Sequence, residues 1–211
     1  MSSTAMVGPL RAAIVRAEGR RLPEYLTRDQ VHQVLQACKT ERDRLLVAVA
    51  WRTGARISEI LGLERQDVDF ANRQLRLRTL KKPKRRDHKP DLRRRPTEEF
   101  RWIPVHAELV ADLASYVLAS KTENGRLFPI GRVRAFEIIR GAALAAGVTA
   151  PGARGIHPHV FRHSFAVHCL NQGVPINIVK ELLGHASILT TMVYLRVVPA
   201  DLRAFLARVE F

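Results

Sequence analysis

Apolar positions keep helical spacing over most of the chain. In TRDQVHQVLQAC (residues 27–38), Val31, Val34, Leu35 and Cys38 recur on one helical face. Thr27 followed three residues later by Gln30 has the pattern of a capping box. LLVAVAW at 45–51 is apolar all round, which predicts a central core helix ending at Gly54. ISEILGL at 57–63 predicts a short helix after that turn. Further helices are predicted at about 106–119, at 132–146 closed by Gly147, at 160–171, at 175–183, and up to Tyr194. A last one at 199–209 starts at Pro199 and sets Leu202, Phe205, Leu206 and Val209 on one face.

The period changes once. LRLRT at 75–79 alternates every second residue, and FRWIPV at 100–105 reads as a second strand. Between them, residues 80–99 hold Pro83, Pro90 and Pro96 and almost no apolar residue, so a long β-hairpin loop is expected. Helices, a small antiparallel sheet and more helices make an α+β class in which helices dominate.

Charge sharpens this picture. Thirty-five Lys and Arg face 20 Asp and Glu, a formal charge of +15. Thirteen of the basic residues and only four acidic ones lie within 73–101, so most of the excess sits on the hairpin. An internal basic ribbon bracketed by strands suits phosphates better than a solvated tail would, so a polyanionic partner is expected, with nucleic acid first. A membrane is not, because the longest apolar run falls far short of the ~20 residues a spanning helix needs. Nor does the start of the chain have the apolar stretch of a signal peptide, and a cytoplasmic location is expected. Cys38 and Cys169 are too few for a metal cluster or disulfide framework and read as two small buried thiols.

Candidate chemistry lies in four short stretches: TGARISEILGL (53–63) with Arg56, the hairpin lysines Lys81, Lys82 and Lys84, HVFRH (159–163), and ELLGHASILTTMVYL (181–195) with His185 and Tyr194. Guanidinium is planar, bidentate and always charged, which suits the non-bridging oxygens of a phosphate. Tyrosine can form a covalent phosphodiester. Lysine can protonate a leaving oxygen when neighbouring positive charge lowers its pKa. His159 and His163 are four apart, a spacing that also suits zinc on a helix, but Arg162 between them would repel a cation, so no metal and no cofactor is expected. An unpaired Arg162 among apolar residues would be costly, so an anion is expected beside it, either a phosphate or a carboxylate such as Glu59. Glu59 could orient an arginine or stand on a helix surface; the sequence leaves both open.

These stretches resemble the catalytic motifs of the tyrosine recombinases, the phage-integrase family of DNA strand-exchange enzymes. The match runs from about residue 22 to 200: an arginine with Ser-Glu two residues on, His-x-x-Arg-His, Leu-Gly-His, and a tyrosine nine residues after that last histidine. The resemblance implies the tyrosine-recombinase catalytic-domain fold, with a small antiparallel sheet carrying the basic hairpin. It implies that Tyr194 attacks the scissile phosphate to form a 3′-phosphotyrosyl link, and that Arg56 and Arg162 clamp the non-bridging oxygens. His159 would accept the proton of the tyrosine hydroxyl or orient it, His185 would hydrogen-bond the phosphate, and Lys81, or Lys82 beside it, would be the general acid. His163 reads as a packing residue or as one that supports a residue of the site. Lys82, Lys84, Arg85 and Arg86 are expected against the DNA backbone.

By the same resemblance, residues 22–198 form the catalytic domain and 199–211 a tail helix that docks on a neighbouring copy in a homo-tetramer on DNA. Residues 1–21 read as an extension or linker. Family members usually carry a further N-terminal helical domain that clamps the DNA. The chain is therefore expected to be either a catalytic-domain-only recombinase, as the fimbrial-switch invertases approximately are, or a portion of a longer one. Without the clamp, DNA affinity should be weak and steeply salt-dependent. Two other functions fit the sequence: a type IB topoisomerase-like nicking and closing enzyme, and a DNA-binding accessory protein without turnover.

Overall fold

A computed structural model describes residues 23–81, 97–119, 125–149 and 155–197. The first helix, α1 (Arg28–Gln36), starts at the capping box read from the sequence. The Gln30 N–H donates to the Thr27 hydroxyl at 3.3 Å, and the Thr27 N–H donates to the Gln30 side chain at 2.9 Å. Helix α2 (Glu41–Thr53) is longer than its apolar run, because Thr40 caps it upstream and Glu41 and Asp43 sit favourably in the first turn. Residues Leu45 to Trp51 are all buried. A helix apolar on every side is stable only when surrounded. Accordingly α2 contacts α1, the short α3 (Ile57–Ile60), α4 (Ala107–Ala119), α5 (Arg132–Ala145) and α6 (Pro158–Asn171).

The described residues close with α7 (Ile176–Leu183), α8 (Ile188–Met192) and a 3₁₀ turn over Val193–Arg196. These pack on α6 around a second apolar cluster of Ala166, Val167, Val179, Leu183 and Tyr194.

The sheet has three antiparallel strands in the order β1 (Val68–Asp69), β2 (Gln74–Lys81), β3 (Thr97–Pro104). The two-residue β1 was not expected; it is too short to show a period of two. Strands β2 and β3 run further towards the hairpin than the alternation at 75–79 and 100–105 suggested. Leu75, Leu77 and Ile103 face the core, while Phe100 and Trp102 are half exposed. The class is α+β and mostly helical, as expected. Lys82, Lys84, Arg85 and Arg86, the N-terminal extension 1–21 and the tail helix at 199–211 lie outside the described residues. Cys38 and Cys169 are free, half-buried thiols. Among the described residues no single helix is long and apolar enough to cross a membrane.

Candidate active site

Helix α6 begins with Pro158 at its first position, and Arg162 follows one turn later. Arg162 is 4% exposed. Its Nη1 donates to the Gly54 carbonyl and its Nη2 to the Leu183 carbonyl, each at 2.7 Å. Within the fold it is held not by a carboxylate but by two main-chain carbonyls at the C-termini of α2 and α7, where peptide dipoles leave partial negative charge. Burial, and then the charge of Arg56, lower its pKa to about 10, which still leaves it protonated at neutral pH.

Arg56 is the residue before α3. Its N–H donates to Glu59 Oε2 and its Nη1 to Glu59 Oε1, both at 2.9 Å, and its Nη2 reaches the Gly184 carbonyl at 3.4 Å. The two readings left open for Glu59 are thus separated: it is 3% exposed and holds Arg56. A second arginine shares it. Arg101 on β3 places Nη1 3.0 Å from Oε1 and Nη2 2.7 Å from Oε2, and the Thr79 hydroxyl donates to Oε1 at 2.7 Å. Burial pushes the Glu59 carboxyl up, but Arg101, the Arg56 N–H and Thr79 outweigh it and hold the pKa at about 2.

Arg101 Nε also donates to the Leu182 carbonyl at 3.3 Å. The carbonyls of Leu182, Leu183 and Gly184 therefore each receive a different arginine: Arg101, Arg162 and Arg56. The last carbonyls of a helix have no partner within it, and here they gather three guanidinium groups. With one carboxylate among three cations, the cluster keeps an excess of positive charge.

Gly184, at φ +64°, turns the chain out of α7 into His185. His185 Nδ1 lies 2.8 Å from the Thr191 hydroxyl. Burial and then Arg162 and Arg56 lower its pKa to about 4, so it is neutral at physiological pH. Beside it a cleft of about 340 Å³ is lined by Thr79, Phe100, Arg101, Lys180, Gly184 and His185.

Tyr194, in the 3₁₀ turn, is 2% exposed, and its hydroxyl lies 2.9 Å from Nδ1 of His163. The ring that meets the tyrosine is His163, the second of the two readings given above for it, and not His159. His159 is exposed on the first turn of α6, with its ring centroid 6.4 Å from that of His163. Burial, and then the neighbouring His159 and Arg162, lower the His163 pKa to about 4. A neutral His163 with its proton on Nε2 can accept from the tyrosine O–H. Burial raises the Tyr194 pKa, and the charge of Arg162 opposes the rise.

Lys81 ends strand β2, where its backbone pairs with Thr97. The structure thus brings Arg56, Arg162, His185 and Tyr194 together, with Arg101, Glu59 and His163 added. Arg101 did have a sequence signal: it shares the pleat side of Ile103, so it is an arginine on the core-facing side of a strand. Among the described residues no three His, Cys, Asp or Glu side chains come together as a metal site would need. Chemically, the arrangement can hold a singly charged phosphodiester and present a tyrosine hydroxyl beside a proton acceptor.

The phage integrase family model matches residues 24–200. The chain belongs to the phage integrase family. Within that family, the tyrosine recombinase XerD of Mycobacterium tuberculosis is 33% identical over 215 residues, covering 92% of this chain and 63% of the relative. The tyrosine recombinase XerA of Pyrococcus furiosus is 30% identical over 200 residues, covering 90% and 63%. The chain thus spans 63% of the length of these curated relatives. The crystal structure of XerA recombinase superposes with a TM-score of 0.68 at 25% identity, over 92% of this chain and 66% of that one. The catalytic domain of bacteriophage HP1 integrase gives 0.63 at 27%, over 88% and 95%. This chain therefore has the catalytic-domain fold of the phage integrases.

Proposed function

We propose that this chain is the catalytic part of a site-specific DNA recombinase, which cleaves and rejoins double-stranded DNA through a 3′-phosphotyrosyl bond at Tyr194. What carries this reading is the Tyr194 hydroxyl, held by a neutral His163 in a pocket where Arg56 and Arg162 converge on adjacent carbonyls. The names of its relatives, tyrosine recombinases, support the same chemistry.

Arg56 and Arg162 bind the non-bridging oxygens of the scissile phosphate, with His185 donating a further hydrogen bond. Three guanidinium groups offset the charge that grows on those oxygens as the fifth bond to phosphorus forms, a task a metal ion performs elsewhere. The Tyr194 oxygen attacks phosphorus while its proton passes to His163. The bond to the 5′ oxygen breaks, and Lys81, or Lys82 in its place, gives that oxygen a proton. A 5′ hydroxyl from a second duplex reverses these steps and releases Tyr194. Each copy cleaves with its own tyrosine, a reading supported by the contact between His163 and Tyr194 within one chain. His159, exposed on the first turn of α6, contacts the DNA, and Lys82, Lys84, Arg85 and Arg86 hold its backbone. Four copies act on two duplexes in the cytoplasm, joined through the tail helix 199–211.

The test is covalent trapping. Nicked duplexes drawn from the DNA flanking the gene are incubated in EDTA with the chain and with Tyr194→Phe. A protein–DNA adduct that survives denaturation and is lost in Tyr194→Phe is expected. Salt-sensitive binding with no adduct would instead indicate an accessory DNA-binding protein.

A further inference from the structure

Arg101 makes none of the bonds in this chemistry, yet it is among the most connected side chains of the pocket. It is wedged between three parts of the fold. One edge of its guanidinium meets both oxygens of Glu59, Nη1 also donates to the Thr79 hydroxyl at 2.8 Å, and Nε donates to the Leu182 carbonyl. The fit against the α7–α8 turn is close. A Cβ on Gly184 would lie 3.0 Å from the Arg101 guanidinium carbon, so that position admits the arginine because it has no side chain. The side chain is 17% exposed and its partner Glu59 2%.

We propose that Arg101 is a positioning residue: it holds the Glu59 carboxylate against Arg56, and it ties β3, and through it the paired strand β2 that ends at Lys81, to the phosphate clamp and the His185 turn. The role rests on the proposed function, since it concerns the same pocket. Glu59 is buried with two cationic partners, and Arg56 is the partner that must also reach a phosphate. With Arg101 removed, Glu59 keeps a single guanidinium and draws Arg56 away from the phosphate, or takes up a proton and lets Arg56 go. A buried carboxylate that loses one of its cations ionises less readily. Cleavage should therefore fall off on the acid side at a higher pH than in the parent chain, where the fall follows protonation of His163 near 4. The backbone link has its own consequence: Leu77 pairs with Arg101, and the same two strands end at Lys81 and Thr97. A displacement of these two strands is thereby passed to Glu59 and the Leu182 carbonyl.

The test compares the whole chain with Arg101→Met and Arg101→Lys, each alone and with Glu59→Gln. One readout needs no DNA: thermal unfolding as a function of pH. Glu59 has a folded pKa of about 2 against an ordinary 4.5, so its stabilising contribution is complete above 4.5 and lost as pH falls towards 2. The gap in melting temperature between parent and Arg101→Met should be widest near neutral pH, narrow below 4.5, and nearly vanish in the Glu59→Gln background. A gap that is the same at every pH and survives Glu59→Gln makes Arg101 a packing residue and overturns the proposal. The second readout is adduct formation with the nicked duplexes. Arg101→Met should cut its rate about ten- to a hundredfold, more at lower pH, with partial recovery in Arg101→Lys or on adding guanidinium ion. An unchanged rate and pH profile contradicts the role. If the parent chain forms no adduct, the recombinase reading falls by itself, and the unfolding comparison still decides whether Arg101 holds Glu59. Should Arg101→Met fail to fold, Arg101→Lys carries both comparisons.

Discussion

A tyrosine hydroxyl is a weak nucleophile at neutral pH until something takes its proton, and the neighbour placed to do so is His163 at 2.9 Å. His163→Ala should slow adduct formation about a hundredfold, the lower end of what a positioned proton acceptor contributes. The histidines also set the response to acid. His163 and His185 have pKa values of about 4 in the folded chain against an ordinary 6.5. The unfolded chain therefore takes up protons that the folded chain refuses, and stability is complete above 6.5 and declines towards 4. Melting temperatures measured across that window should fall for the parent and fall less for His163→Phe. At this scale the sequence motifs named Arg56, Arg162, His185 and Tyr194, because their spacing along the chain is distinctive. They misassigned the contact to the hydroxyl, since His159 and His163 share one helical face and only the position of the Val193–Arg196 turn decides which ring it meets. They missed Arg101 because its partner, Glu59, is forty-two residues away.

Turns decide where these side chains converge. Gly54 ends α2 at φ +61°, and a Cβ there would lie 2.5 Å from the Phe165 ring and 2.9 Å from Leu183. Gly184 ends α7 at φ +64°, where the obstacle is the end of a flexible arginine. Gly54→Ala should therefore lose about 1–3 kcal/mol by chemical denaturation, because a rigid aromatic must move and the conformation is strained. Gly184→Ala should lose less stability, about 1 kcal/mol, yet more of its cleavage, since displacing Arg101 disturbs the clamp. Equal losses of both properties in the two variants would count against this separation. Most elements were legible because each carries a local signal, such as the Thr27 and Gln30 cap or the alternation at 75–79. Strand β1 was not. It exists by pairing with Gln74 and Leu75, a tertiary reason that two residues cannot announce. Helix α2 outran its apolar run for the opposite cause: its start is set by a polar cap at Thr40, upstream of anything periodic.

For the whole molecule, the architecture followed from the order of patterns, since one hairpin set among helices leaves few arrangements. The pocket did not follow, because its walls are main-chain carbonyls of Leu182, Leu183 and Gly184, which no side-chain pattern encodes. With a charge of +15, the proposed DNA binding should rest mainly on phosphate contacts. Binding to a duplex, followed by titration with salt, should weaken steeply as counterions compete. A tight complex that salt leaves unchanged would mean that base contacts or apolar burial, and not phosphate contacts, supply most of the affinity. The most direct measurement on the chemistry is peptide mapping of the trapped adduct by mass spectrometry after nuclease and protease digestion. The nucleotide should be found on Tyr194, joined through its 3′ phosphate. A nucleotide on any other residue, or one joined through a 5′ phosphate, would contradict the proposed mechanism.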